Sequence, residues 1–528
     1  MSFILFKNAK FAHPASHPGD AVLVEDGVIR AVGHASDLTL QLAGKEVQTI
    51  DWQGQYVLPG LVDSHMHLAM HGMKLDMLDF TEAASKEEML QMIRNRAAVT
   101  PPGEWILGLN WNENNFSPSA APHRTELDEA AGDHPLYLTR TCFHAFLGNS
   151  EAFRRAGVAA STPDPESGAF GRDEDGDLNG WIYEEASAAF AKVQPEPDYA
   201  VKKAAVRRGI LDALRLGLTA VHTEDLRLLG SADTMLRIHR ELREEGLVFR
   251  THQLMFHTFL DEMKELGILP NQGDEWIRIG AVKMFSDGAL GGRTALLREP
   301  YSDAPETSGM AIQTQEHLNE MVSRARALGY PVAVHAIGDL AADMTLTAME
   351  THRLQDHSVL PDRLIHGQIV HADSVARMKQ LHLAADIQPR FVASDFPWVL
   401  DRVGRRTDYL YAWKKLIDSG VDCAGGSDAP IEPLDPFLGL HAAVTRRRPE
   451  EIHEGYLPEE KLSIKEAVDL FTQGSAKAAG ESNRGEIKEG MAADFTVVDR
   501  DIFDSPESLL QTQVRMTIVN GQVGYSSM

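Results

Sequence analysis

Eight short apolar runs alternate with amphipathic helical segments along the middle of this chain. The first run begins at Val57 and leads into His65. The other seven cover residues 218–224, 250–255, 277–285, 331–336, 364–369, 384–388 and 422–428. Helical periodicity follows most of these runs, and a capping box at Ser463 and Glu466 opens a helix after the last. This alternation predicts an α/β fold, a (β/α)8 TIM barrel with its active site at the carboxyl ends of the strands.

The two ends of the chain have a different, β-rich character. A turn containing Asp26-Gly27 joins two apolar runs near the N-terminus, and Asn520-Gly521 does the same near the C-terminus. Neither end has enough strands for a stable core of its own. We therefore expect residues 1–57 and 485–528 to form one small composite β-sandwich domain, and residues 58–484 to form the barrel.

A long insertion, residues 70–205, separates the first predicted strand from the second. It is far longer than an ordinary loop and contains helical and strand patterns of its own, so we expect a subdomain. Because it follows His65 and His67 directly, we expect it to act as a lid over the site that selects the substrate. Its composition makes Trp111 and Asn112 candidate substrate-binding residues.

The net charge argues against two classes of partner, and the cysteine content argues against a disulfide-rich protein. Lys and Arg number 51 against 77 Asp and Glu, which gives a net charge of -26. This balance argues against nucleic acid and against anionic membrane surfaces as partners. It says little about the substrate, which we expect to be a small molecule. Two cysteines, Cys142 and Cys423, cannot form a disulfide framework. With no signal-peptide pattern and no apolar run of about 20 residues, we expect a cytoplasmic protein.

Candidate metal ligands stand at or near the carboxyl ends of five of the predicted strands. His65 and His67 are two residues apart, so a strand points both imidazoles to the same side. The other strands contribute Lys283, His335, His366 and Asp428. Each of these residues alone has an ordinary structural explanation, such as a core histidine or a turn aspartate. Together, in barrel order and at the same strand ends, they predict a metal centre, most naturally for zinc.

The same stretches resemble the metal-dependent amidohydrolase superfamily. The similarity lies in Leu58 to His67, Val282 to Gly291, Val334 to Asp339, Leu364 to Gln368 and Gly426 to Pro430. In detail the chain resembles the subgroup with a large insertion after the first strand, which includes N-substituted formamide deformylase and YtcJ-type proteins. The resemblance implies hydrolysis of a non-peptide carbon–nitrogen bond, most simply a linear amide. Family habit also suggests a homodimer.

The resemblance implies a role for each ligand. His65 and His67 would bind the more buried of two zinc ions, and His335 and His366 would bind the second. Lys283 would be carboxylated and bridge both ions as a carbamate. Asp428 would bind the first ion and act as the general base towards a hydroxide held between the metals.

Further residues are weaker candidates for contact with the substrate. His144 falls in a motif that resembles the substrate-facing segment of the subgroup. Asp287, Arg293 and Asp339 follow ligand-bearing strands, where they could support the site or simply cap loops. His222 ends the second strand at the level of the ligands, and we expect a structural role for it.

Three alternatives stay open at this point. An esterase or lactonase could use the same nucleophile. A mononuclear deaminase of the superfamily typically has a His-x-Glu motif after the fifth strand, whereas this chain has His335-Ala336-Ile337. A non-catalytic scaffold would be expected to have lost metal ligands, and this chain retains all six.

Overall fold

The computed structural model describes residues 2–11, 19–42, 44, 46–141, 145–165, 168–356 and 359–528. Two compact units divide the chain: one comprises Met1–Gly72 with Lys202–Met528, and the other comprises Met73–Val201. No helix within the described ranges is long and apolar enough to cross a membrane.

A parallel eight-stranded barrel forms the centre of the first unit, as the alternating pattern predicts. Its strands are β1 (Leu61–Met66), β2 (Leu218–Thr223), β3 (Arg250–Phe256), β4 (Ile277–Phe285), β5 (Val332–Ala336), β6 (Arg363–His366), β7 (Ala384–Ile387) and β8 (Asp422–Gly425). Each strand pairs in parallel with the next in chain order. Small and branched side chains from β3 to β6 fill one level of the interior: Leu254, Ala281, Ala333 and Ile365.

The barrel closes between β8 and β1 just beyond the end of β8. The backbone N–H of Asp428 donates a hydrogen bond to His65 O at 2.7 Å, and His67 N–H donates to Ala429 O at the same distance. Strand β8 therefore ends at Gly425, earlier than residue 428, and the chain continues along β1 as a loop. This loop holds Asp428 against the carboxyl end of the first strand.

Helices follow the strands around the outside of the barrel. Their bounds are Tyr199–Arg215, Ala232–Glu244, Leu260–Glu265, Gln315–Ala327, Asp339–Thr351, Ala372–Leu381, Trp413–Asp418, Pro436–Thr445 and Ile464–Asp469. Shorter helices at Leu68–Lys74, Leu226–Leu229, Phe391–Asp395, Trp398–Val403 and Ser475–Ala478 lie between them. The capping box expected at Ser463 and Glu466 is present. Side-chain capping of this kind satisfies backbone N–H groups that the first helical turn leaves without partners.

Strands from both chain ends build two further sheets in the same unit. One has the order Val28–Gly33, Ala21–Glu25, Phe3–Lys7 and Val47–Asp51, and the other Lys10–Phe11, Tyr56–Pro59, Phe495–Val498, Val514–Val519 and Gln522–Ser526. Phe6, Trp52 and Phe495 pack together in their common core, with ring centroids 4.9 to 5.6 Å apart. The composite sandwich is thus confirmed as part of the fold. Tyr56–Pro59 belongs to it, and the barrel begins beyond Gly60.

The second unit has its own sheet and core. Its sheet has the order Gly168–Arg172, Leu178–Glu184, Ala145–Gly148, Leu136–Arg140, Ile106–Trp111 and Leu78–Asp79. Helices Lys86–Ala97, Arg124–Ala131, Ser150–Arg155 and Ala188–Ala191 accompany it. This segment is the large insertion expected after the first strand. Its action as a lid stays a prediction, and so do the domain boundaries drawn from the sequence.

Candidate metal centre

The six predicted ligands come together at the carboxyl ends of the barrel strands. His65, Lys283 and His335 lie on β1, β4 and β5, and His366 is the last residue of β6. His67 follows the end of β1, and Asp428 stands in the loop after β8. His65, His67, Lys283, His366 and Asp428 are buried, and His335 is nearly so.

His65, His67 and Asp428 form the tightest part of this group. One potential ligand atom from each lies within 4.8 Å of the other two. Asp428 Oδ1 is 3.5 Å from His65 Nε2 and 3.4 Å from His67 Nε2. Lys283 Nζ lies 3.2 Å from His65 Nε2. Three different strand ends therefore direct nitrogen and oxygen atoms to one point.

His335 and His366 lie beside this group. Their ring centroids are 4.6 Å apart, and the His366 ring lies 5.6 Å from that of His65. The two histidine pairs are therefore neighbours at the barrel mouth, and His65 of the first pair contacts Lys283 Nζ at 3.2 Å.

Hydrogen bonds set the orientation of three of the four imidazoles. His67 Nδ1 donates to Glu224 O at 2.9 Å, His366 Nδ1 donates to Gln388 Oε1 at 2.7 Å, and His335 Nε2 donates to Gly288 O at 3.0 Å. In a neutral imidazole, such a bond fixes the tautomer and leaves the other ring nitrogen with a lone pair. That nitrogen is Nε2 in His366 and Nδ1 in His335. In His67 it is Nε2, which lies 3.4 Å from Asp428 Oδ1. This donor set fits a divalent metal that prefers imidazole and carboxylate.

Burial also favours the protonation states that a metal requires. It lowers the pKa of His65 and of His335 well below the usual value, and lowers that of His366 to about 4. Burial lowers the pKa of Lys283 to about 7, although Asp428 and Glu224 act in the opposite direction. Burial alone would raise the pKa of Asp428, but the His67 hydrogen bond and the nearby histidine charges bring it below its ordinary value. The centre therefore offers neutral imidazoles at His65, His335 and His366 and an ionised carboxylate. Burial disfavours protonation of His67, but its hydrogen bond to Asp428 and the charges of Asp428 and Glu224 raise its pKa above the usual value.

Two of the ligand residues have a backbone conformation that non-glycine residues rarely adopt. His366 has φ of 76° and Asp428 has φ of 60°. Such conformations cost of order 1–3 kcal/mol each and persist where the surrounding structure holds them in place. Here they turn the side chains at the ends of β6 and β8 towards the centre of the barrel mouth.

Asp63 is an important residue that the sequence analysis missed. Its buried carboxylate accepts hydrogen bonds from His65 N–H at 3.0 Å and from Ser427 N–H at 3.0 and 3.1 Å. Burial raises its pKa to about 7, against the effect of these bonds. It ties the strand that carries His65 to the loop that carries Asp428. The sequence does contain a signal for this role, because Asp63 is an acidic residue that follows the apolar Leu61-Val62 inside a strand.

Gly426→Ala is expected to disturb this junction. A Cβ at Gly426 would lie 2.6 Å from His65 N and 2.8 Å from Asp63 Oδ1. Both distances are too short for a contact, and the backbone of the barrel has little freedom to move and relieve them. We expect a loss of about 1–3 kcal/mol in stability from overpacking, together with reduced metal content. Thermal unfolding and elemental analysis would measure both.

Gly291→Ala is the matched control, because the nearest atom to its Cβ would be Trp398 Cη2 at 3.6 Å. Unchanged metal content and melting temperature in Gly426→Ala would mean that the junction is not tightly packed.

Two weaker candidates serve the loops at the strand ends in this structure. Asp287 accepts backbone hydrogen bonds from Leu296, Ile337 and Gly338 at 2.8 to 3.0 Å. Asp339 accepts from Arg298 N–H and pairs with His371 at 2.8 Å. These contacts support loop positioning. Substrate contact by either aspartate stays a prediction.

The remaining candidates have structural contacts or cannot be assessed. Arg293 pairs with Asp303 at 2.9 Å. Trp111 is fully buried in the core of the insertion, where Nε1 donates to Leu138 O, so the expectation that it lines a pocket finds no support. Asn112 caps a short helix at Asn114 N–H. His144 lies outside the described residues.

Comparisons with known proteins agree with the geometry. A family model described as the amidohydrolase family matches residues 48–525. YtcJ of Bacillus subtilis (strain 168), an amidohydrolase by name, is 40% identical over 511 residues, 96% of each chain. N-substituted formamide deformylase of Arthrobacter pascens is 27% identical over 543 residues, 99% of this chain and 98% of the relative.

A solved structure is similar over the whole fold. The crystal structure of an uncharacterized metal-dependent hydrolase from Pyrococcus horikoshii OT3 superimposes with a TM-score of 0.78 at 30% identity, covering 96% of this chain and 99% of that one. The family model spans the barrel and the C-terminal strands of the sandwich. This chain therefore belongs to the amidohydrolase family, a family of hydrolases.

Proposed function

We propose that this protein hydrolyses a non-peptide carbon–nitrogen bond, a linear amide, at a centre of two zinc ions. The observation that carries the proposal is the buried group of His65, His67 and Asp428 with Lys283 Nζ 3.2 Å from His65 Nε2. A buried set of imidazole and carboxylate donors around a lysine amine serves no evident purpose in a scaffold. The amide is favoured because one relative over the full length is named as a formamide deformylase.

The donor atoms divide into two sets in this proposal. His65, His67 and Asp428 would hold one ion, and His335 and His366 would hold the other. Lys283 would bridge the two sets, and its Nζ has His65 Nε2 as its one hydrogen-bond contact within the described residues. A buried amine without a carboxylate partner is most stable when neutral. A neutral amine can attack carbon dioxide, form an N–C bond and lose a proton, which gives a carbamate with two oxygen ligands.

Asp428 is the proposed catalytic base. Bound divalent metal lowers the pKa of water from 15.7 towards about 7 and polarises a carbonyl oxygen. Asp428 accepts a proton from the attacking water and then donates it to the leaving nitrogen as the C–N bond breaks. The products are a carboxylic acid and an amine. Asp63 and the backbone of β1 keep Asp428 in reach of this proton transfer, because they hold its loop against His65.

Metal content tests the proposal directly. Elemental analysis of purified wild type, with and without added bicarbonate, is expected to give about two zinc ions per chain. Lys283→Met, which removes the amine but keeps an unbranched side chain, is expected to bind fewer. Lys477→Met is the matched control, since Lys477 is exposed and pairs with Asp422 on the barrel surface.

Activity provides the second measurement. N-formyl and N-acetyl phenethylamine are expected to be hydrolysed by the zinc-loaded wild type, and Lys283→Met is expected to lose this activity. Phenethyl formate separates an amidase from an esterase. Failure of the wild type to bind metal, or full metal content and activity in Lys283→Met, would overturn the proposed centre.

A further inference from the structure

Arg227 lies at the mouth of the barrel, and the Glu224 carboxylate binds one edge of its guanidinium. It lies in the short helix Leu226–Leu229, directly after β2. Its Nε donates to Glu224 Oε2 at 2.6 Å, and its backbone N–H donates to Glu224 Oε1 at 3.2 Å. The Glu224 side chain is 1% exposed, whereas the Arg227 side chain is 39% exposed. A buried carboxylate thus orients a guanidinium that solvent can reach.

Two aromatic rings support the flat face of this guanidinium. Arg227 Cζ lies 4.8 Å from the centroid of the Phe285 ring and 5.3 Å from that of Phe256. These rings stand at the ends of β4 and β3, 6.2 Å apart. Attraction between a cation and aromatic rings holds the planar group in a defined orientation.

The Phe285 ring is a close neighbour of both Arg227 and the metal centre. Lys283 Nζ lies 4.8 Å from the centroid of this ring, and the His335 ring lies 5.0 Å from it. Arg227 Cζ and Lys283 Nζ are therefore no farther apart than twice 4.8 Å. This span suits a small substrate whose scissile carbonyl is at the metals and whose other polar end reaches Arg227.

The terminal nitrogens of Arg227 are available to such a group. Within the described part of the chain, Nη1 and Nη2 have no hydrogen-bond partner, since Glu224 engages Nε. A guanidinium edge with parallel N–H groups matches the two oxygens of a carboxylate. Orientation by Glu224 and the two rings reduces the side-chain entropy that binding would otherwise cost.

We propose that Arg227 binds a carboxylate of the substrate, so that the preferred substrates are N-acyl amino acids. This inference rests on the proposed amide hydrolysis and adds the class of amine released. In an N-acyl α-amino acid the carboxylate carbon is two bonds from the amide nitrogen, so both groups fit the span across Phe285. Water adds to the acyl carbon, the C–N bond breaks, and the amino acid leaves with its carboxylate on Arg227.

Two probes that differ by one carboxylate test this role. N-formyl-phenylalanine and N-formyl-phenethylamine share the formamide and the phenyl ring. In Arg227→Met the ratio of their kcat/KM values is expected to fall about 10–100-fold, as for the loss of a charged hydrogen bond, with the larger change in KM. Arg227→Lys should retain part of the preference. Arg324→Met, an exposed arginine paired with Asp261, should leave the ratio unchanged.

The outcomes separate this inference from the proposed function. Hydrolysis of both probes with an unchanged ratio in Arg227→Met would overturn the carboxylate role and leave the amidase intact. If wild type hydrolyses neither probe, the amidase proposal fails, and calorimetric binding of N-formyl-phenylalanine decides the role of Arg227. Weaker binding to Arg227→Met than to wild type would support the role, and equal affinity would overturn it.

Discussion

Asp428→Asn is expected to lower kcat about 10²–10⁴-fold, the usual contribution of a positioned general base. Asparagine keeps the size of the side chain and one carbonyl oxygen, so a metal contact can survive in part. It cannot accept the proton of the attacking water. Because Asp428 Oδ1 lies 3.4 Å from His67 Nε2 and the backbone is held by His65 O, the substituted side chain has little freedom to move away. Steady-state kinetics on N-formyl-phenethylamine would measure the loss.

The control for this experiment is Asp422→Asn. Asp422 begins β8, the strand that leads to the Asp428 loop, at the opposite end of the barrel, where it is exposed and pairs with Lys477 at 2.7 Å. Its substitution should leave kcat near the wild-type value. If Asp428→Asn keeps its full metal content and a kcat near the wild-type value, Asp428 does not act as the general base.

The second large effect concerns a buried ion pair inside the barrel. Arg363 donates to both carboxylate oxygens of Asp386, at 2.7 and 2.8 Å, and Nη2 also donates to Ser64 O at 2.7 Å. Arg363 is 1% exposed and Asp386 is fully buried. Removal of one partner leaves an uncompensated charge in the interior, so Arg363→Met and Asp386→Leu are each expected to cost about 3–5 kcal/mol.

The double substitution Arg363→Met with Asp386→Leu should cost less than the sum of the two single ones. Both charges are then absent, and apolar side chains of similar volume fill the space. Urea unfolding of wild type, both single variants and the double variant forms a complete cycle. The exposed pair of Arg324 and Asp261 is the comparison and should contribute no more than about 1 kcal/mol. Additive effects for the buried pair would show that its partners do not depend on each other.

This pair also connects the barrel interior to the metal centre. Ser64 precedes His65, and Arg363 Nη2 lies 3.2 Å from His222 Nδ1 on β2. His222 therefore has the structural position expected of it. We expect Arg363→Met to bind metal more weakly than Arg324→Met, because Arg363→Met loses the hydrogen bond to Ser64 O next to His65.

The barrel and the meeting of the six ligands could be predicted because both follow from periodic signals. A barrel delivers the residues at its strand ends to one mouth, so strand order alone places His65, Lys283 and His366 near one another. The supporting contacts could not be predicted in this way. Gln388 reaches His366 from the neighbouring strand, and Glu224 holds His67 through a backbone carbonyl. Such contacts depend on side-chain conformations across elements that are distant in sequence.

The differences between prediction and structure have equally physical causes. Composition favours Trp111 as a pocket residue, but a large aromatic side chain is also an effective filler of a small core, which is where Trp111 lies. The end of β8 at Gly425 could not be seen, because the apolar pattern does not show where hydrogen bonding passes from β7 to β1. The break at Gly60 is similar: the apolar run from Val57 to Val62 is interrupted only by Pro59-Gly60, but its two halves belong to two sheets.

The composite sandwich has a consequence for how the chain is made. Leu61 N–H donates to Thr496 Oγ1, 435 residues later, and Tyr56–Pro59 pairs with Phe495–Val498 in the same region. A ribosome adding about 5–20 residues per second needs roughly 20–90 seconds to bridge that gap. For that time Phe6 and Trp52 lack the ring of Phe495 that covers them in the native protein. Assembly of the sandwich is therefore a late event, because the N-terminal sheet cannot complete its core before residues 495–498 have been synthesised.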